Sequence, residues 1–277
     1  MIVIGERING NFDVVAEGIK ARDKKAIYLV AEKQLATGSN ILDINVGTRV
    51  AKAERLEVMK WLVETTREVT NVPLAIDSPN YEVVRAGVEA ASKKGRAIIN
   101  STTGAVEPLE KFMTLAHEFK AGIVCLAIDE KGVAGTVDGK VEIGMRAVAV
   151  AMEKGVAVED IYLDPIILPV NCNQTAPRIV LEAIQQFKMI SDPAPHIVIG
   201  LSNLSQGASE RSLINRSFFV MALSMGLDSC IMDSQDTDLM HAMIAAEMLL
   251  DKSIYSDSFI KAYLQSHSTT ASASASA

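Results

Sequence analysis

Positive charge is scarce in this sequence. Its 277 residues hold 27 Lys and Arg against 34 Asp and Glu, a net charge of −7. A chain this acidic lacks the basic footprint of a nucleic-acid or anionic-membrane binder, although a small anionic ligand held by local groups is compatible with it. Long apolar runs are missing too, and none approaches the roughly 18 residues that a membrane span needs. The opening MIVIGERING has no basic segment ahead of its short apolar run, unlike a secretory signal. The three cysteines, Cys125, Cys172 and Cys230, lie far apart and cannot all pair internally. They read as reduced thiols, which points to the cytoplasm. The four histidines are scattered, none at metal-ligand spacing from a cysteine, so no metal site is expected. No glycine-rich phosphate loop follows any strand, which leaves nucleotide cofactors without motif support.

What the sequence does contain is a repeat. With 49% apolar and 22% charged residues it can bury a sizeable core, and its length suits one large domain. Eight short apolar runs alternate with longer amphipathic stretches: Ile2–Ile4, Ile41–Ile44, Leu74–Ile76, Ala97–Ile99, Ile123–Ile128, Ile161–Leu163, Ile197–Ile199 and Cys230–Met232. Their continuous apolar character predicts strands buried on both faces, as in parallel sheets covered by helices. Between them, Leu109, Phe112, Met113 and Ala116, and again Val180, Ala183, Ile184 and Phe187, follow helical spacing. Gly38, Gly95, Gly122, Gly155 and Gly226 fall where helix C-caps are expected. The Ser/Ala-rich end, Ser268–Ala277, has no apolar period and reads as a disordered tail or a foreign remnant. A single domain over 1–264 with a tail over 265–277 is therefore expected.

A polar residue closes each repeat. Arg7 and Asn9 follow the first run, and Asp43 and Asn45 lie in the second. Asp77, Asn100, Asp129, Asp164, Asn203 and Asp233 then follow the others. From Asp43 onward the intervals are 34, 23, 29, 35, 39 and 30 residues, each the length of one βα unit. Eight such units over about 250 residues predict a (β/α)₈ barrel, whose active site gathers at the strand C-termini. A doubly wound open sheet uses the same alternation and is the alternative. In a barrel, Asp43, Asp77, Asn100, Asp164 and Asn203 converge on one mouth. Carboxylates accept hydrogen bonds and Asn both donates and accepts, a lining suited to a heterocycle with an amino group, a ring N–H and a carbonyl along one edge. Taken singly, each of these residues is equally at home as a turn residue or helix cap.

The motifs GERIN (Gly5–Asn9), LDINVG (Leu42–Gly47), AIDSPN (Ala75–Asn80), IINST (Ile98–Thr102), YLDPIILP (Tyr162–Pro169), GLSNLSQG (Gly200–Gly207) and RSLINRSF (Arg211–Phe218) occur in order. The set closely resembles the pterin-binding methyltransferases that act on methyltetrahydrofolate and a corrinoid protein, over about residues 1–264. This resemblance implies a homodimeric (β/α)₈ barrel in which Asp77, Asn100 and Asp164 hydrogen-bond the pterin ring. It also implies that Asn203 reaches N5 of the folate as the catalytic residue, with Asp43, Ser202, Gln206 and Arg211 at neighbouring binding positions. The substrate implied is tetrahydrofolate or its 5-methyl form. The chain lacks the D-x-H-x-x-G pattern of a cobalamin binder, so the corrinoid is expected on a separate protein that docks transiently over the mouth. Dihydropteroate synthase, which shares the barrel and pterin pocket, is a second reading, and a non-catalytic folate-binding protein a third.

Overall fold

The computed structural model describes residues 1–263 and 265. The Ser/Ala-rich tail, apart from Gln265, and Leu264 at the expected domain boundary lie outside the described residues. The barrel strands are β1 (Ile2–Asn9), β2 (Ile41–Asn45), β3 (Leu74–Asp77), β4 (Ala97–Thr103) and β5 (Gly122–Leu126). After a two-stranded antiparallel hairpin, β6 (Ile128–Asp129) and β7 (Gly132–Val133), come β8 (Ile161–Asp164), β9 (His196–Gly200) and β10 (Ser229–Met232). The eight long strands pair in parallel and close on themselves, β1 meeting β2 on one side and β10 on the other. The open-sheet alternative is thereby excluded.

Helices α1 (Asp13–Ala21) and α2 (Lys24–Ala36) both follow β1. One helix follows each later barrel strand: α3 (Arg55–Arg67), α4 (Tyr81–Ser92), α5 (Val106–Phe119), α6 (Val137–Lys154), α7 (Ala176–Phe187), α8 (Arg211–Ser224) and α9 (Thr237–Leu249). The predicted apolar stripes of α5 and α7 are the buried ones.

Two expectations change in detail. The apolar run Ile123–Ile128 is not one strand: barrel pairing ends at Leu126, and Ile128 turns away into the hairpin opposite Val133. A run that is apolar throughout carries no sign of the break at Ala127. Gly122 is not a helix cap but the first residue of β5, because Lys120 takes the left-handed position at φ 51° and closes α5 itself.

Strand alternation explains both the core and the site. The outward residues of the strands, such as Leu42, Ile76, Ile99 and Ile199, pack with the helices in one large cluster. The inward ones, Ile4, Ile41, Ala75, Ile98, Val124, Tyr162 and Val198, form a separate cluster inside the barrel. Side chains repeat every second residue along a strand. Five of these seven inward rows, followed two residues toward the strand's C-terminus, leave the apolar plug and become polar: Ile4 to Glu6, Ile41 to Asp43, Ala75 to Asp77, Ile98 to Asn100, Tyr162 to Asp164; Val124 and Val198 lead instead to Leu126 and Gly200. At the opposite end the N-terminal ammonium of Met1 is buried against Glu247 of α9 at 2.6 Å.

Candidate active site

The mouth has a deep layer and a rim. In the deep layer, parallel register sets Asn45 beside Asp77 and Asp77 beside Asn100. Asn45 Nδ2 donates to Asp77 Oδ2 at 2.5 Å, and Asn100 Nδ2 donates to Asp43 Oδ1 at 2.9 Å. Across the barrel, Asp164 Oδ1 accepts the Ile166 N–H at 2.7 Å, which leaves its second oxygen for a ligand donor. The turn that makes this bond holds Ile166 at φ 58°, a conformation that a β-branched residue rarely takes.

Burial dominates the electrostatics. It raises Asp77 to about 6, opposed by the Asn45 amide, and Asp164 to about 7, opposed by the Ile166 N–H and the Lys140 ammonium. Asp43 is pushed well above the usual carboxylate range by burial and by the neighbouring Asp77 charge, against the Asn100 amide. Glu6 is raised by burial, while the Ser202 hydroxyl draws it down. Four carboxyls crowded into a low-dielectric mouth are poised to change charge when a ligand supplies N–H donors or takes up a proton.

The rim comes from the loop after β9. A single 3₁₀ turn, Leu201–Asn203, lifts the chain out of the barrel. Ser202 Oγ donates to Glu6 Oε1 at 2.8 Å. Arg211, at the start of α8, spans the loop by donating to the Ser202 carbonyl at 3.1 Å and to Ser205 Oγ at 3.2 Å. Asn203 and Gln206 are exposed on this rim. The loop after β8 is tied to it, Val170 N donating to the Leu204 carbonyl at 2.9 Å.

The structure thus brings all eight sequence-predicted residues to one end of the barrel: Asp43, Asp77, Asn100 and Asp164 in the deep layer, Ser202, Asn203, Gln206 and Arg211 at the rim. Asp129, also expected at a strand end, belongs to the β6–β7 hairpin, where it accepts the Lys131 N–H. Asp233 lies 3.6 Å from Arg7 and accepts the Gln235 N–H.

Sequence reasoning missed Glu6 and Lys140 and left Asn45, named only as a strand-end residue, out of the site. Glu6 was signalled by the Ile2–Ile4–Glu6 alternation, and Asn45 by the same step from Asp43. Lys140 was not signalled: it lies on α6, 24 positions before Asp164, and only the fold puts them together. Among the described residues no group of three His, Cys, Asp or Glu could hold a metal ion, and no helix is long and apolar enough to cross a membrane.

Fold and site define a class: a (β/α)₈ barrel whose C-terminal mouth is lined with carboxyls and amides. Residues 5–233 match the family described as pterin binding enzyme, and the chain belongs to that family. It is 30% identical to the methylcorrinoid:tetrahydrofolate methyltransferase of Eubacterium limosum, over 96% of this chain and 97% of that one. It is 32% identical to the methionine synthase of Mycobacterium leprae over 83% of this chain, which spans only 20% of that longer protein. Among solved structures it superposes on the dihydropteroate synthase of Coxiella burnetii in complex with pteroic acid, with a TM-score of 0.68, 16% identity and coverage of 91% and 94%. The dihydropteroate synthase of Yersinia pestis gives 0.67 at 15% identity, with the same coverage. At such identities the likeness is one of fold.

Proposed function

We propose that the protein is a methyltransferase that moves a methyl group between N5 of tetrahydrofolate and the cobalt of a corrinoid carried by a separate protein. The observation that carries this reading is the end-to-end match with the E. limosum enzyme, set on a mouth whose deep layer is rich in hydrogen-bond acceptors. Asp164 and Asp77 would accept from the amino and ring N–H groups of the pterin, and Asn100 would serve its carbonyl edge. Asp43, locked to the Asn100 amide, would fix which way that amide points.

Asn203, on the exposed rim above this layer, is the residue assigned to N5. When Co(I) attacks the methyl carbon, a Co–C bond forms and the C–N5 bond breaks. The electron pair goes to N5, which takes up a proton. The Asn203 amide would stabilise that nitrogen as its charge changes, without the repulsion that a cationic side chain would bring. In the other direction N5 attacks the methyl carbon, loses its proton, and leaves the Co–C pair on Co(I). Arg211, Ser202 and Glu6 fix the loop that carries Asn203, and Gln206 lines its outer edge.

The same reading includes a corrinoid-protein partner that docks over the rim and departs, a homodimer, and a cytoplasmic setting. Exposed apolar residues on and beside α8, among them Leu213, Val220 and Met221, offer a face for the dimer, which light scattering would test. The three cysteines are all free thiols, as a reducing compartment favours. The decisive experiment is an anaerobic spectrophotometric assay with methylcobalamin, or a methylated corrinoid protein, and tetrahydrofolate. Loss of the methylcobalt spectrum with stoichiometric methyltetrahydrofolate supports the reading. No turnover in either direction, with several corrinoid proteins, overturns it.

A further inference from the structure

Lys140 is the one lysine that is buried among the described residues, at 4% exposure, and its placement is unfavourable on three counts. A buried ammonium loses its hydration. It sits in the first turn of α6, where the helix dipole disfavours a cation. Its long side chain is also ordered to make a single hydrogen bond among the described residues, Nζ donating to the Pro165 carbonyl at 2.6 Å. Pro165 follows Asp164 directly, and the next residue is the left-handed Ile166, whose N–H binds back to Asp164 Oδ1. The Pro165–Ile166 peptide is therefore gripped from both sides, its carbonyl by Lys140 and its N–H by Asp164.

We propose that Lys140 is a positioning residue: by holding the Pro165 carbonyl it clamps the turn after β8 and keeps the Asp164 carboxyl aimed into the mouth to receive the N–H edge of the bound pterin. The inference rests on the proposed function for the identity of that ligand, but the clamp itself is a property of this chain. Its electrostatics agree with its geometry. The titratable group facing Lys140 is Asp164, and the titratable groups facing Asp164 are Lys140 from α6 and the Cys230 thiol from β10. The thiol is itself pushed up by burial and stays neutral. Among the described residues, Lys140 is thus the one cation that opposes the effect of burial on Asp164.

The test uses Lys140→Met, which removes both hydrogen bond and charge, and Lys140→Gln, which keeps a donor and removes the charge. The Asp164 carboxyl is titrated by carbon-13 NMR in the ligand-free proteins, with tetrahydrofolate affinity measured at pH 7 and pH 9. In both variants the Asp164 midpoint moves up from about 7 by about one pH unit, and affinity at pH 7 falls about fivefold in the Gln variant and further in the Met variant, whose turn is no longer held. At pH 9 the Gln variant regains affinity within about threefold of the unsubstituted protein, because its turn is still held. A merely structural lysine would instead weaken binding equally at both pH values. A Met variant that also regains affinity at pH 9 overturns the proposal, because the clamp is then dispensable. If the unsubstituted protein binds no reduced folate, the proposed function fails, and the clamp is read instead from the Ile166 amide that binds Asp164, whose hydrogen exchange should rise in the Met variant and not in the Gln variant.

Discussion

Substituting Asp164 by Asn tests the deep layer most directly, because the change is nearly isosteric. The amide oxygen can still accept the Ile166 N–H that now binds Oδ1 at 2.7 Å, so the turn survives. The NH₂ then replaces the oxygen left for the ligand and meets the pterin donors as a second donor. A hydrogen bond to a charged group contributes about 1.5–3 kcal/mol, so folate affinity at pH 8 should fall by roughly 10- to 150-fold. The pH dependence is the sharper readout. With Asp164 at about 7, the ionised fraction changes about tenfold between pH 6 and pH 8, and the unsubstituted protein should bind folate about tenfold more tightly at the higher pH. In the Asn variant that step flattens, leaving the smaller contribution of Asp77 near 6. Stability should respond with the opposite sign. The folded pKa lies above the unfolded one, so the folded state holds the proton between about pH 4 and 7. Its stability therefore falls as pH rises through that window, by at most about 4 kcal/mol for this one group. Calorimetric titration with tetrahydrofolate and thermal unfolding across pH 5–9 would follow both effects. An Asn variant with unchanged affinity and an unchanged binding profile would refute the assignment of Asp164 to the ligand's donor edge.

Asn203→Ala should lower methyl-transfer turnover by about 10²–10³. Because Asn203 is exposed, its removal should change thermal stability by no more than about 0.5 kcal/mol, and stopped-flow turnover beside a melting curve would check the pair of results. Glu247→Gln leaves the buried Met1 ammonium without its counter-charge and should cost about 3–5 kcal/mol in chemical denaturation while folate affinity per folded molecule stays constant. Gly10→Ala puts a Cβ 2.1 Å from the Val46 carbonyl oxygen. The β1 and β2 loops must separate, so folate binding should weaken beside Asn45 in a calorimetric titration even where the barrel still folds.

Spacing alone carried the barrel far because a (β/α)₈ fold repeats one local grammar eight times: an apolar run, a polar residue at its end, an amphipathic stretch. Where that grammar is interrupted, reading along the chain fails for identifiable reasons. Ala127 ends an uninterrupted apolar run: its N–H makes the last bond of the β5–β8 ladder, to the Asp164 carbonyl at 2.8 Å, while its carbonyl accepts the Ala134 N–H at 3.1 Å and the chain turns away. Lys120 closes α5 in a conformation usually left to glycine, and the neighbouring Gly122, the obvious cap by residue type, starts a strand. The break at Ala127 depends on a distant strand, whereas the Lys120 cap is closed by local bonds to Ala116 and His117 that residue type alone does not signal.

The same distinction separates the two layers of the site. Strand-end residues all look alike in sequence, yet Asp43 is shut inside the barrel against Asn100 while Asn203 stands exposed on a 3₁₀ turn. The difference follows from how far each loop climbs before its polar residue. It also divides their chemistry. Buried carboxyls, with ionisation shifted into the neutral range, can recognise a neutral ring through its N–H groups and couple binding to a proton. An exposed amide cannot do that, but it is open to a partner arriving from above. The proposed transfer of a methyl group between a ring held within the barrel and a cobalt carried by another protein would use both environments. The depth of the acids and the exposure of the amide are therefore two halves of one requirement, and a variant that buries Asn203 should damage transfer from a protein-bound corrinoid more than transfer from free methylcobalamin.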